Sequence, residues 1–269
     1  MSGLPQELID HIIDHVNDRE TLKACSLVCS QWSPRSRKYL FAHVDFTLGD
    51  LQLWCARIRP GPSGPSSLVE VLTISEYCPS STSFSPIWIR SSILTDAASH
   101  FRSFSALRAL EVCRWPSMNA DCTLSMLQSF GSSLENVTRL TMEEVTIHPS
   151  ILAMFVGHFP SLDDLSISVI KILRTLEGAD DLYPGFRGEI IPTHPRGKFS
   201  VSSLLGYQVP KGVFEAIVLL EPRFHQVSLA NVGYYAWRDY WPLVEACAES
   251  LEELRILANV IGEWIRLNL

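Results

Sequence analysis

From Leu4 to about residue 45 the apolar positions follow helical spacing. Leu8, Ile9, Ile12, Ile13 and Val16 fall at i, i+1, i+4, i+5 and i+8, one broad stripe on a helix, with Glu7, Asp10 and Asp14 off it. Asn17 or Asp18 supplies an N-cap for a second helix that carries Leu22, Cys25, Val28, Cys29 and Trp32 along one side. Ser33 as N-cap and Pro34 at the first helical position open a third, which ends in the bulky run Tyr39, Leu40, Phe41. Three helices in roughly 40 residues enclose a thin core, and so small a unit needs a partner or a following domain to be stable.

Beyond this region the pattern changes. The triplet apolar-x-x-apolar-x-apolar occurs as Val69-x-x-Leu72-x-Ile74, Leu107-x-x-Leu110-x-Val112 and Val137-x-x-Leu140-x-Met142. It returns as Leu162-x-x-Leu165-x-Ile167, Phe224-x-x-Val227-x-Leu229 and Leu251-x-x-Leu254-x-Ile256, with a weaker copy from Val201 to Gly206. Central positions at 72, 110, 140, 165, 204, 227 and 254 give steps of 38, 30, 25, 39, 23 and 27 residues. Helical patterns such as "ILAMFVGHF" and "GVFEAIVLLE" fill the intervals. A short strand then a helix, recurring at such intervals, predicts a solenoid in which each unit buries its apolar face against the next. An ordinary α/β domain is the competing reading. It lacks support here because no strand is followed by a glycine-rich phosphate-binding turn.

Two stretches interrupt the repeat. "RPGPSGPSS" (59–67) reads as a joint, and "EGADDLYPGFRGEIIPTHPRGK" (177–198) as an insertion without periodicity. Tyr183, Phe186 and Arg187 are the residue types in that insertion suited to anchoring a target protein. The resulting division is a helical module at 1–46, a helical and Pro/Gly linker at 47–67, and a repeat region at 68–269.

The net charge of −7 argues against nucleic acid, whose phosphates require a basic face. Neither part escapes this: residues 1–45 hold 5 Lys/Arg against 6 Asp/Glu, and the remainder 17 against 23. The N-terminus has no basic stretch leading into an apolar core, and no run reaches the ~18 apolar residues of a membrane span. Seven scattered cysteines, an odd number, suit reduced thiols and a cytoplasmic or nuclear location.

Candidate chemistry adds little. His11 and His15, and Cys25 and Cys29, are two pairs at spacing four. Zinc would need all four converging at about 2.0–2.3 Å, whereas the cysteines lie on the apolar stripe and the histidines at its polar border. C-x-x-x-C is not the C-x-x-C redox spacing. The doublets Glu143-Glu144, Asp163-Asp164, Asp180-Asp181 and Glu252-Glu253 point apart and read as solvated surface. No G-x-S-x-G, H-E-x-x-H or P-loop occurs. The expectation is a non-enzyme with neither cofactor nor metal.

Leu4-Pro5, Glu7-Leu8, Ile12, Leu22, Val28-Cys29, Trp32 and Leu40-Phe41 follow one another in an order that closely resembles the F-box, with Phe41 where that family often has Trp. The remainder resembles the irregular leucine-rich repeats that often follow an F-box, without a clear Asn position. The fold class expected is therefore α/β: a short three-helix F-box module, then an irregular leucine-rich-repeat-like α/β solenoid. The resemblance implies a substrate receptor of an SCF-type cullin-RING ubiquitin ligase. Skp1, and through it cullin and RING subunits, would be held at the N-terminus and a target protein by the repeats. It assigns Leu4, Pro5, Leu8, Ile9, Ile12, Leu22, Val28, Cys29 and Trp32 to the Skp1 contact or to the small core beneath it. The alternative is a Skp1-bound scaffold working outside the ligase, which would co-purify with Skp1 and no cullin.

Overall fold

Helix α1 (Gln6–Asp14) begins at Pro5, whose carbonyl accepts from the backbone N–H groups of Leu8 and Ile9 at 3.1 and 3.2 Å. The computed structural model describes residues 4–76, 87–115, 120–168, 170–172, 194–202, 210–232, 237–258 and 264–268. Helix α2 (Arg19–Val28) is capped by Asp18, whose carboxylate accepts from the Thr21 N–H at 2.7 Å. Helix α3 (Ser33–Ala42) takes Pro34 in its first turn, where a missing N–H costs no bond. Ile9, Ile13, Leu22 and Leu40 make a small core shared by the three, edged by Val16, Trp32 and Phe41.

α3 runs directly into strand β1 (His43–Thr47), which is already part of the main sheet. Next come α4 (Leu48–Arg57), β2 (Val71–Ser75), α5 (Ile87–Asp96), α6 (Ala98–Phe101) and β3 (Ala109–Cys113). The chain continues through α7 (Ala120–Phe130), β4 (Arg139–Glu143), the short β5 (Thr146–Ile147), α8 (Pro149–Gly157) and β6 (Asp164–Ser168). It ends with β7 (Lys171–Ile172), β8 (Arg196–Ser202), α9 (Lys211–Val218), β9 (Arg223–Val232), α10 (Trp237–Ala246), β10 (Glu253–Ala258) and β11 (Trp264–Asn268).

Among the described residues nine strands form one sheet in the order β1-β2-β3-β4-β6-β8-β9-β10-β11; β5 and β7 pair separately. Every pairing from β1 to β10 is parallel, and β11 returns antiparallel to β10. Among the described strands the order never reverses, so they form no switch-point crevice of the doubly wound kind. A backbone motif recurs between rungs. The Glu70 carbonyl accepts from the N–H groups of Arg108 and Ala109 at 2.8 and 3.0 Å, and the Arg108 carbonyl from Thr138 and Arg139 at 2.9 and 3.0 Å. The Thr138 carbonyl takes Asp163 and Asp164 in the same way, at 2.8 and 2.9 Å.

The triplets explain these strands. Their second and third positions alternate into the core, so Leu72 and Ile74, Leu110 and Val112, and Leu140 and Met142 are all fully buried. Their first position is buried just ahead of the strand, as at Val69, Leu107 and Val137. Helices cover that face: α5 packs on α7, α7 on α8, α8 on α9 and α9 on α10. Phe101 stacks on Phe130 with ring centroids 4.2 Å apart, filling the layer between strands and helices. Among the strand residues whose burial is described, the alternate positions make a second face that is half-buried or exposed except at Ala109.

Two expectations are corrected. The weak copy starting at Val201 is out of register. Phe199 and Val201 occupy the second and third positions, since they pair with Leu165 and Ile167 on one side and with Val227 and Leu229 on the other. Three residues ahead of Phe199 stands Arg196, a polar residue that hides the match, while Gly197 pairs with Phe224, the first position of the next triplet. The bulge beside it requires glycine: Gly197 has φ +80°, and a Cβ there would lie 2.0 Å from the Asp163 carbonyl oxygen. The sheet also begins earlier than residue 68. Phe41-x-x-Val44-x-Phe46 is a further rung, paired with Leu72 and Ile74, and α4 from the expected linker buries Leu48 and Leu51 in the sheet core.

Candidate functional site

The N-terminal helices divide their apolar residues between two duties. Ile9 (1% exposed), Ile13 and Leu22 point into the small core, and Trp32 packs half-buried at its edge. Leu4, Leu8 and Ile12 are spaced four apart, and Leu8 is 50% exposed, so α1 shows water a second apolar stripe on the side away from Ile9 and Ile13. At the end of α2, Leu27 (84% exposed) and Val28 (63%) are barer still. Pro5 is exposed and sets the entry to α1. Single exposed leucines are ordinary on proteins; five large aliphatic side chains concentrated on a few turns of a small module mark an interaction surface.

Cys29 does not continue the α2 stripe. The helix stops at Val28, and Cys29 is extended, with φ −164° and ψ 174°, which leaves its side chain exposed while Cys25 stays buried. The histidine pair sits on the exposed side of α1, with His15 Nδ1 2.8 Å from the His11 carbonyl and the rings 4.5 Å apart. Histidines and cysteines thus do not converge. Among the described residues no group of three or more His, Cys, Asp or Glu is placed to hold a metal ion.

Polar contacts hold the helices at fixed angles behind the apolar residues. Asp14, at the end of α1, accepts from Arg35 Nε and Nη2 at 2.6 and 2.8 Å and from the Tyr39 hydroxyl at 2.9 Å. The Arg35 guanidinium also lies over the Tyr39 ring, 5.5 Å from its centroid. These hydrogen bonds, Arg35 foremost, hold the Asp14 carboxyl down at about 2. Gln6 Nε2 donates to Asp10 at 2.7 Å and to the Gln31 carbonyl at 3.1 Å, tying the start of α1 to the segment after α2. The module meets the sheet through aromatic rings: Phe41 lies edge-on to Trp54 at 6.0 Å, and Trp54 edge-on to Phe46 at 5.2 Å.

Leu27 is the residue that sequence reasoning missed. It lies off the α2 stripe, and a leucine on the otherwise polar side of a short helix was the available signal. Tyr183, Phe186 and Arg187 of the insertion lie outside the described residues. Of the carboxylate doublets, Glu143 and Glu144 are both exposed, and neither they nor Asp163 and Asp164 form an acid/base pair by hydrogen bonding. No described helix is long and apolar enough to cross a membrane.

Residues 1–38 match the family model of the F-box domain. The N-terminal module is an F-box. F-box domains are the Skp1-binding adaptor modules of SCF-type complexes, and proteins that carry them are typically adaptors and not enzymes. The match covers α1, α2 and the first part of α3, the segment in which the exposed aliphatic residues are gathered. No curated protein matches the chain.

Proposed function

We propose that this chain is the target-receptor subunit of an SCF-type cullin-RING ubiquitin ligase. Leu4, Leu8, Ile12, Leu27 and Val28 are its Skp1 contact, with Pro5 fixing the approach of α1. Ile9, Leu22 and Trp32 shape the module from beneath, and Cys29 lies at the margin of the contact. The carrying observation is that the F-box buries a core of its own and still leaves these aliphatic side chains in water. An amphipathic helical surface of this kind fits a hydrophobic groove, and each anchor contributes on the order of 1.5–3 kcal/mol before ordering costs.

The rest of the chain, on this proposal, is an irregular leucine-rich-repeat-like solenoid that holds a target protein. Strands added one after another in parallel, helices gathered on one face, and an opposite face left open support that reading. The work of the subunit is proximity: a target held on the repeats is placed beside a ubiquitin-loaded conjugating enzyme at high effective concentration. Affinity purification of the full chain from cells tests this. Skp1 and cullin together are expected with the natural chain, and neither with the double variant Leu8→Asp, Ile12→Asp. Skp1 recovered equally with that variant overturns the proposal, and Skp1 recovered without cullin replaces the ligase with a scaffold.

A further inference from the structure

The sheet face turned away from the helices is broad. Eight parallel strands at about 4.8 Å spacing make it about 34 Å wide, and the five residues of a typical strand make it about 13 Å tall. Parallel sheets are ordinarily covered on both faces, and among the described residues this one is covered on one. Its middle is low and polar: Ser166, Ser200 and Ser228 stand side by side in register on β6, β8 and β9. Short hydroxyl side chains leave room for a chain lying across the strands and offer it hydrogen bonds.

Charge on this face is sorted. Two of its cations are matched internally, Arg139 with Asp164 at 3.6 Å and Arg255 with Glu253 at 2.9 Å. Lys198, on β8, lies beside Asp164 in register. On the half nearest the F-box stand Asp45 on β1, Glu111 on β3 and Glu143 on β4, and none of the three has an ion-pair partner among the described residues. Glu111 accepts a hydrogen bond from the Thr73 hydroxyl at 3.0 Å, which orients it without neutralising it. Their fields meet at Cys113, whose thiol is pushed up to about 11 by burial and by Glu143, Glu111 and, more weakly, Asp45, with Arg114, which pairs with Glu144, opposing them.

We infer that the open sheet face binds a cationic, extended segment of a partner protein, its Lys or Arg side chains paired with Asp45, Glu111 and Glu143 on β1–β4 and its backbone lying across the strands along the row that continues to Ser166, Ser200 and Ser228. The inference rests on the receptor reading for its biological sense and gives it a target chemistry. The carboxylates attract such a segment over a Debye length of about 8 Å at physiological salt, and the hydroxyl platform offers short-range contacts that an isolated acidic patch lacks.

The test uses the full chain co-purified with Skp1 and a fluorescein-labelled peptide of twelve residues alternating Lys and Ser, read by anisotropy. A peptide with Glu in place of Lys is the counter-probe. The Lys peptide is expected to bind at least tenfold tighter than the Glu peptide and to weaken as salt is raised. The pair Glu111→Gln, Glu143→Gln should lose about tenfold, while Glu135→Gln with Glu249→Gln, an equal charge change on exposed turns elsewhere, should leave binding within twofold. Equal binding of the two peptides, or an unchanged affinity in the Glu111/Glu143 pair, overturns the inference. Failure of the chain to retain Skp1 would instead sink the receptor reading, and the peptide comparison would still decide the face.

Discussion

The two ends of this molecule treat apolar surface in opposite ways. The F-box closes a core of four buried aliphatic residues and leaves five others in water. Among the described residues, the sheet region sends most of its large apolar side chains into one continuous core and keeps its uncovered face largely polar. A module that spends half of its grease outward is thermodynamically incomplete alone, and a partner groove completes it. A sheet that is complete by itself can present its open face to a partner that is changeable, polar and charged. On the proposed function, the constant partner belongs to the helices and the specific one to the strands.

Breaking the sheet core gives the largest expected effect. Phe101→Ala removes a stacked, fully buried ring, and its cost of about 3–5 kcal/mol should appear as a lower urea midpoint. Skp1 binding below that midpoint should be unchanged, because the F-box core is separate. A smaller effect is expected at Thr47, which caps α4 in a box with Asp50: its side chain accepts from the Asp50 N–H at 3.1 Å. Thr47→Ala should cost about 1 kcal/mol in the same titration and again spare Skp1 binding.

Acid separates the regions most gently. His100, buried on α6, is held below the usual histidine range by that burial, with a backbone hydrogen bond to Cys55 opposing it. The unfolded chain therefore takes up a proton first as pH falls through about 6.5, and the sheet region starts losing stability there. Asp14 is depressed to about 2, so its contribution to the F-box is complete above about 4 and disappears as pH drops from about 4 towards 2. Urea midpoints measured against pH should fall in both windows, and Asp14→Asn should flatten the lower one alone.

The strands of the sheet were legible because a half-buried strand must alternate, and the spacing of Leu72 and Ile74 repeats at Leu110 and Val112 for that reason. Two rungs escaped. Arg196 stands where the others carry an apolar residue, and Phe41-x-x-Val44-x-Phe46 was absorbed into the tail of the helical pattern although it already belongs to the sheet. The residues proposed for docking were legible as an apolar set and not as roles. Ile9 and Leu8 are neighbours in sequence with the same chemistry, and only the angle between α1 and α3, fixed by Asp14, Arg35 and Tyr39, buries one and bares the other. Cys29 turned on where α2 stops, which periodicity places no better than a residue or two, and Leu27 stands on the side of α2 away from its apolar stripe.

Calorimetric titration of purified Skp1 into the full chain tests the central claim most directly, comparing the natural sequence with Leu8→Ala, Ile12→Ala and with Leu53→Ala, an equally exposed leucine on α4. About hundredfold weaker binding is expected for the α1 pair, an unchanged affinity for Leu53→Ala, and similar melting of all three. Equal affinity across the three proteins would contradict that claim.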